Sequence, residues 1–212
     1  MYFFDLDGTV LDSNGVWGAI DRQFLGRFGV EQVPADYTDY VTHHSFPEAA
    51  AYTRSRYAHS LTEEEIMETW RAMAAEAYGG QLPLKPGVRD FLDRAGAAGI
   101  RCAMVTSCLP ELCASALEGH GLTEYFEAVF TTRELELEKR ERALYLEVAR
   151  RCGVRPEDCT LFEDSPVNCL AAHEAGWRVF GMYDPLFADR REEFEPACGK
   201  EGYPFSFLSP LP

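Results

Sequence analysis

Lysine is nearly absent from this chain: in 212 residues it occurs only at Lys85, Lys139 and Lys200. With 20 Lys and Arg against 35 Asp and Glu, the formal net charge is −15. Such a balance repels nucleic-acid backbones and anionic membranes, so neither is expected as a partner. No apolar run approaches bilayer-spanning length, and the first residues enter an apolar stretch with no basic leader or cleavable segment. A cytoplasmic protein, a monomer or a small homo-oligomer, is the expectation. Paired cysteine motifs are missing as well. The seven cysteines are odd in number, none form CxxC, and Cys102, Cys113, Cys152, Cys159 and Cys169 fall inside apparent strands or helices. Buried reduced thiols fit this better than a disulfide framework or a thiolate metal site. Cys108 stands apart, directly after Thr106-Ser107. Internal repeats and low-complexity tracts are also lacking.

What is present is a set of short apolar runs separated by helical patterns. Tyr2 to Leu6, Arg101 to Thr106, Ala128 to Thr131, Thr160 to Phe162 and Arg178 to Met182 read as strands. Near-continuous apolar strands are those of a parallel sheet covered on both faces. Between them, Val88, Phe91, Leu92 and Ala95, and then Leu144, Tyr145, Val148 and Ala149, fall at helical spacing. The fold class predicted is α/β, with a doubly wound parallel sheet.

Residues 14–85 have another character, with no strand pattern, and the expected division is a core of 1–13 and 86–212 with a helical cap of 14–85. Val16, Trp17, Ile20, Phe24 and Phe28 mark one amphipathic helix, and Pro47 suits the first turn of a second. A third starts at the capping box Thr62-x-x-Glu65 and stops at Gly79-Gly80. The tail from Pro185 is rich in Pro, Gly and charge, and its stretch Tyr203 to Phe207 is expected to pack back on the core.

Chemistry concentrates at strand ends. Asp5-Leu6-Asp7-Gly8-Thr9-Val10 follows the first apolar run, where a parallel sheet binds its ligands. Side chains two apart on a strand point the same way, so Asp5 and Asp7 face one substrate, and their repulsion calls for a cation. Oxygen ligands and phosphate chemistry favour Mg²⁺. A second strand ends at Thr106-Ser107, Lys139 precedes a helix, and a fourth strand ends at Glu163-Asp164-Ser165. Taken alone, Thr106 suits a helix cap, Asp164 an N-cap, and Lys139 a solvated charge run.

In this order, the segments resemble the haloacid dehalogenase (HAD) superfamily, in its phosphatase and β-phosphoglucomutase-like branch with an inserted helical cap, from Met1 to about Asp184. The resemblance implies a Rossmann-like core and a Mg²⁺-dependent phosphatase acting on a small phosphorylated metabolite. Asp5 would be the nucleophile, forming an aspartyl-phosphate, and Asp7 the acid and then the base. Thr106, Ser107 and Lys139 would bind the phosphoryl group. Asp5, Asp164 and the backbone carbonyl of Asp7 would hold the metal, with Glu163 orienting a metal-bound water or Lys139.

One departure stands out: the family's lysine precedes a proline-containing turn, whereas here the run is Glu138-Lys139-Arg140-Glu141-Arg142. Arg140 is therefore the alternative cation. In the cap, His43, His44 and Arg54 are the candidates to meet substrate, with Arg56 and His59 behind them. A dehalogenase does not need the carboxylate of Asp7, and a phosphonatase needs a cap lysine that residues 14–80 lack. A sugar-phosphate mutase wants a basic residue after the second-motif hydroxyl, where Ser107-Cys108-Leu109-Pro110 stands. Mutase activity and a non-catalytic phospho-ligand module remain as alternatives.

Overall fold

The computed structural model of the chain describes residues 1–13, 15–43 and 46–212. Strand β1 (Tyr2–Phe4) is followed by four helices, α1 (Val16–Gly26), α2 (Ala35–His43), α3 (Phe46–Arg56) and α4 (Glu63–Glu76). The chain continues through α5 (Val88–Ala97), β2 (Cys102–Thr106), α6 (Pro110–Gly119), β3 (Val129–Thr131), α7 (Thr132–Leu135) and α8 (Arg142–Cys152). It finishes with β4 (Thr160–Glu163), α9 (Pro166–Glu174), β5 (Arg178–Gly181) and the short α10 (Glu195–Cys198). Met1–Asn14 and Leu82–Pro212 make one compact unit and Gly15–Gln81 the other. Among the described residues no helix is long and apolar enough to cross a membrane.

In the first unit the five strands form one parallel sheet in the order β3-β2-β1-β4-β5. The chain builds outward from β1 to β3 on one side and then crosses to β4 on the other. The switch point therefore lies between β1 and β4, where open α/β sheets place their ligands. Successive side chains of β1 serve opposite faces. Phe3 meets Trp177 with ring centroids 4.4 Å apart, in a cluster with Leu144, Tyr145, Val148, Leu161 and Val179. On the other face Phe4 stacks on Phe162, and Phe91 of α5 touches the rings of Tyr2, Phe4, Phe162, Phe205 and Phe207. The stretch Tyr203 to Phe207 does pack on the core, and Arg94 fastens it by donating to the carbonyls of Phe207 and Ser209 at 2.8 and 2.9 Å. Truncating Phe91 to Ala would cost about 3–5 kcal/mol, the scale for an emptied aromatic site in a core.

β1 is shorter than its apolar run because the chain curls at once. Val10 and Leu11 N–H both donate to the Leu6 carbonyl, at 2.9 and 2.8 Å, while Gly8 takes φ 80°, a left-handed conformation suited to glycine. Leu82 to Lys85 belong with this sheet unit: Leu84 bridges Leu11, and Lys85 N–H donates to the Val10 carbonyl at 2.9 Å.

In the second unit the Thr62 capping box forms, with the Thr62 side chain accepting from Glu65 N–H. Among the described residues four helices stand where the periodicity predicts three. The extra one, α2, is short and polar with Tyr37 its fully buried anchor, too little apolar pattern to read. Helix α1 ends at Gly26, so Phe28 lies in the following turn, although its ring still reaches Phe24 at 5.3 Å. Trp17, expected on the buried stripe, is 42% exposed.

Candidate active site

Three strand ends supply the site. Asp5 follows β1 and its N–H donates to the Phe162 carbonyl of β4, which fixes the backbone that carries the carboxylate. Glu163 closes β4 and Asp164 follows it, and β2 brings Thr106 to the same end of the sheet on the other side of β1. Asp5, Thr106, Glu163 and Asp164 are all buried.

Lys139 enters from the turn between α7 and α8. Glu136, at φ 52°, ends α7 in the left-handed region, and Glu141 N–H donates to the Glu138 carbonyl to close the next turn. The ammonium of Lys139 sits 2.5 Å from Asp5 Oδ1 and 2.5 Å from Glu163 Oε2, at 4% exposure. Arg140 is exposed, so the structure separates the two candidate cations. A solvated charge run describes Arg140 and its neighbours and does not describe Lys139.

The electrostatics follow from this burial. Loss of solvent acts to lower Lys139, but Asp5 and Glu163 outweigh it and hold the ammonium well above its ordinary value. Burial pushes the Asp5 carboxyl up to about 8, against the pull of Lys139 and with Glu163 and Asp7 adding to the rise. Carboxylate oxygens of Asp5, Glu163 and Asp164 lie within 4.8 Å of one another. Two of these buried carboxylates, Asp5 and Glu163, pair with the one ammonium. Oxygen ligands clustered this closely could hold a further cation, which would favour their charged forms.

Asp7 accepts a 2.6 Å hydrogen bond from Ser13 Oγ. Ser13 is buried and is absent from the candidates read from the sequence. Its signal was Ser13 itself, a hydroxyl just past the Gly8 turn. Thr106 Oγ1 accepts from Cys108 N–H at 3.0 Å, and Glu163 Oε1 accepts from Ser165 N–H at 3.0 Å. Ser165 precedes α9 without a side-chain cap, and Ser107 is exposed.

The remaining candidates lie in the Gly15–Gln81 segment, where the two arginines are engaged. Arg54 donates to the Leu61 carbonyl at 3.0 Å and lies 3.6 Å from Glu63. Arg56 pairs with Asp36 at 2.6 Å and lies over the rings of Tyr52 and Tyr57. His59 is exposed. His44 lies outside the described residues, and so does the His43 side chain. Two cavities of the sheet unit, of about 370 Å³ beside Arg191 and Tyr203 and about 250 Å³ beside Cys113 and Val129, contain none of the carboxylates. Concavity alone would have pointed away from the charged cluster.

Residues 2–182 match the family model described as haloacid dehalogenase-like hydrolase. The chain is 30% identical to fructose-1-phosphate phosphatase YqaB of Escherichia coli, over 82% of this chain and 90% of that protein. It is 31% identical to phosphoglycolate phosphatase 1 of Pseudomonas aeruginosa, over 86% of this chain and 68% of that one. Among solved structures, a CbbY variant from Rhodobacter sphaeroides in complex with xylulose-(1,5)bisphosphate superposes with TM-score 0.70 at 21% identity, covering 97% of this chain and 93% of the other.

Proposed function

The chain belongs to the haloacid dehalogenase-like hydrolase family and is a phosphoric monoester hydrolase; from that premise we propose that it requires Mg²⁺, works through an aspartyl-phosphate at Asp5, and acts on a small phosphorylated metabolite. The observation that carries this reading is the Lys139 ammonium held 2.5 Å from both Asp5 and Glu163, with Asp164 in the same cluster.

Phosphate monoesters resist attack because an anionic centre repels nucleophiles, so charge must be offset and the nucleophile held in line. Lys139 grips Asp5 Oδ1, which orients the carboxylate and leaves Oδ2 as the atom to bond phosphorus. As that P–O bond forms, the bond to the leaving oxygen breaks, and Asp7 donates a proton to that oxygen. Asp7, now a carboxylate, takes a proton from the water that attacks the phosphoaspartyl group, and inorganic phosphate leaves with Asp5 restored. Ser13, 2.6 Å from Asp7, holds the acid in one orientation through both halves. Thr106 and Ser107 would bind phosphoryl oxygens at the neighbouring strand end.

The donor set fits Mg²⁺. Hard oxygen ligands are already clustered, and Glu163 is occupied by Lys139 and Ser165 N–H, which leaves Asp5 and Asp164 to hold the ion, with the Asp7 carbonyl as the third protein ligand. When bound, Mg²⁺ supplies electrostatic neutralisation of the phosphoryl oxygens.

The names of the relatives support a small substrate such as a sugar phosphate or a phosphorylated hydroxy acid. A mutase reading is weaker here, because the positions after Thr106 are Ser107, Cys108 and Leu109, which offer no second cationic phosphate site. The test is phosphate release from a panel of phosphorylated metabolites with Mg²⁺, for the wild type and Asp5→Asn. Release by the wild type, abolished in a folded Asp5→Asn, is expected. Isomerisation of a sugar phosphate without net phosphate release would establish the mutase instead, and near-normal turnover by Asp5→Asn would overturn the covalent step.

A further inference from the structure

Two of the chain's three lysines are largely withdrawn from water at the same end of the sheet. Lys139 belongs to the charged cluster with Asp5 and Glu163, whereas Lys85 has no part in the steps above. The Lys85 ammonium sits 2.7 Å from Asp184 Oδ2 and 3.5 Å from Asp12 Oδ1. Side-chain exposure is 11% for Lys85 and 1% for Asp184, against 58% for Asp12. Lys85 Nζ also lies 3.5 Å from the Tyr183 carbonyl.

Three segments of the sheet unit meet at this ammonium. Residues 10–12 and 83–85 form a short antiparallel ribbon. Lys85 N–H donates to the Val10 carbonyl at 2.9 Å, Leu84 bridges Leu11, and Asp12 N–H donates to the Pro83 carbonyl at 2.9 Å. A two-stranded ribbon is marginal by itself, so it takes its position from what it is fastened to. The residue after Asp12 is Ser13, whose hydroxyl lies 2.6 Å from Asp7 Oδ1. The third segment is the turn after β5. Gly181 is level with Glu163, and Met182 N–H donates to the Glu163 carbonyl at 2.8 Å. Tyr183 and Asp184 therefore start from the strand end that carries the charged cluster.

On the reading proposed above, in which Asp7 protonates the leaving oxygen, we infer that Lys85 is a positioning residue for Asp7. Its ammonium fastens the ribbon to the turn after β5 and so fixes where the Ser13 hydroxyl meets the acid. Stability alone does not account for an ammonium here. Taking Lys85 and Asp184 out of water offsets the gain from their attraction, and apolar residues of the same size often hold two segments as well or better. What the pair supplies is a fixed distance between two atoms, which an apolar contact leaves free to slide. A displacement of about 1 Å at a reacting group can cost about 10²-fold in rate, so a fixed distance there shows in the kinetics.

The test combines Lys85→Met with Asp184→Asn, which leaves neither charge of the pair buried without its partner. It compares glycerol 2-phosphate with p-nitrophenyl phosphate in the presence of Mg²⁺. The alkoxide of the first needs a proton as it leaves, and the p-nitrophenolate of the second does not. For the double variant, kcat/KM on glycerol 2-phosphate should fall about 10-fold and that on p-nitrophenyl phosphate by less than about threefold. Added to Ser13→Ala, the same two substitutions should cost less than about twofold more, because both changes act through one hydroxyl. Equal losses on the two esters, or losses that multiply with that of Ser13→Ala, would overturn the assignment.

Amide hydrogen exchange gives a readout that needs no substrate. At Asp12 and Lys85, the bonded N–H groups of the ribbon, exchange in the double variant should speed at least about 10-fold while Tyr2–Phe4 is unchanged. Unaltered exchange at the ribbon would also overturn the assignment. Turnover by the wild type with equal losses in the variant is failure of the Lys85 assignment alone. No phosphate release from either ester by the wild type is failure of the phosphatase reading, and the exchange rates then still decide whether Lys85 fastens the ribbon.

Discussion

Lys139 Nζ lies 2.5 Å from Asp5 Oδ1 across a sequence separation of 134 residues, and both groups are almost wholly removed from water. An ammonium in that position cannot be spared. It offsets part of the charge on three carboxylates and is the sole protein cation among the described residues that an ion pair connects to Asp5.

Lys139→Ala should therefore lower kcat/KM by about 10²–10³, the loss found for one preorganised transition-state donor, or roughly 2.7–4 kcal/mol. Arg140→Ala, at an exposed position beside it, should change kcat/KM by less than about threefold, since surface charges seldom exceed 1 kcal/mol. The thermal midpoint of Lys139→Ala should also fall at neutral pH, because an uncompensated buried carboxylate pair is left behind. Steady-state kinetics and calorimetry on the two variants decide the matter, and a reversed order would transfer the role to Arg140.

Ser13→Ala removes the 2.6 Å donor to Asp7. A hydrogen bond to a charged group contributes about 1.5–3 kcal/mol, so kcat should drop by roughly 10–100-fold with KM little altered. Ser13→Thr keeps the hydroxyl and should restore most of the rate. Equal losses in both variants would indicate that packing at this buried position matters more than the hydrogen bond.

Chelation should silence the enzyme, and Mg²⁺ should restore it, because the clustered carboxylates of Asp5, Glu163 and Asp164 exceed the single ammonium. Asp164→Asn should raise the Mg²⁺ concentration needed for half-maximal activity by at least about 10-fold, the lower end for lost metal-site support. Phosphate release titrated with Mg²⁺ after EDTA treatment reads both. Full activity in the presence of the chelator would remove the metal from the mechanism.

In the helical unit, burial pushes the Asp21 carboxyl up to about 6, while Tyr37 Oη, 3.4 Å away, acts against the rise. The folded state thus holds this proton more tightly than the unfolded chain does. Its stabilising effect is complete below the ordinary carboxylate range, near pH 4, and is lost as the pH climbs through about 6. Asp21→Asn, uncharged at every pH, should raise the thermal midpoint at pH 7.5 and leave it nearly unchanged at pH 4. Melting curves at the two pH values check this; a lower midpoint at pH 7.5 would mean that the charged form is the one the fold prefers.

Much of this was legible in the chain. Apolar runs located all five strands, and helical spacing identified α5 and α8, because burial on both faces of a parallel sheet forces those patterns on the residues themselves. The motif residues Asp5, Asp7, Thr106, Glu163 and Asp164 could be chosen from their positions at strand ends. Helix α2 escaped because one buried tyrosine makes no periodicity, and Ser13 escaped because its partner is a side chain brought round by the Gly8 turn. The sequence favoured Lys139 and kept Arg140 as the alternative, since adjacent cations in a mixed charge run look alike until the turn after Glu136 sends one inward and leaves the other in solvent. Periodicity and strand-end chemistry are local and are written in neighbouring residues; a desolvated ion pair depends on which distant segments the fold brings together, and only the tertiary structure decides that.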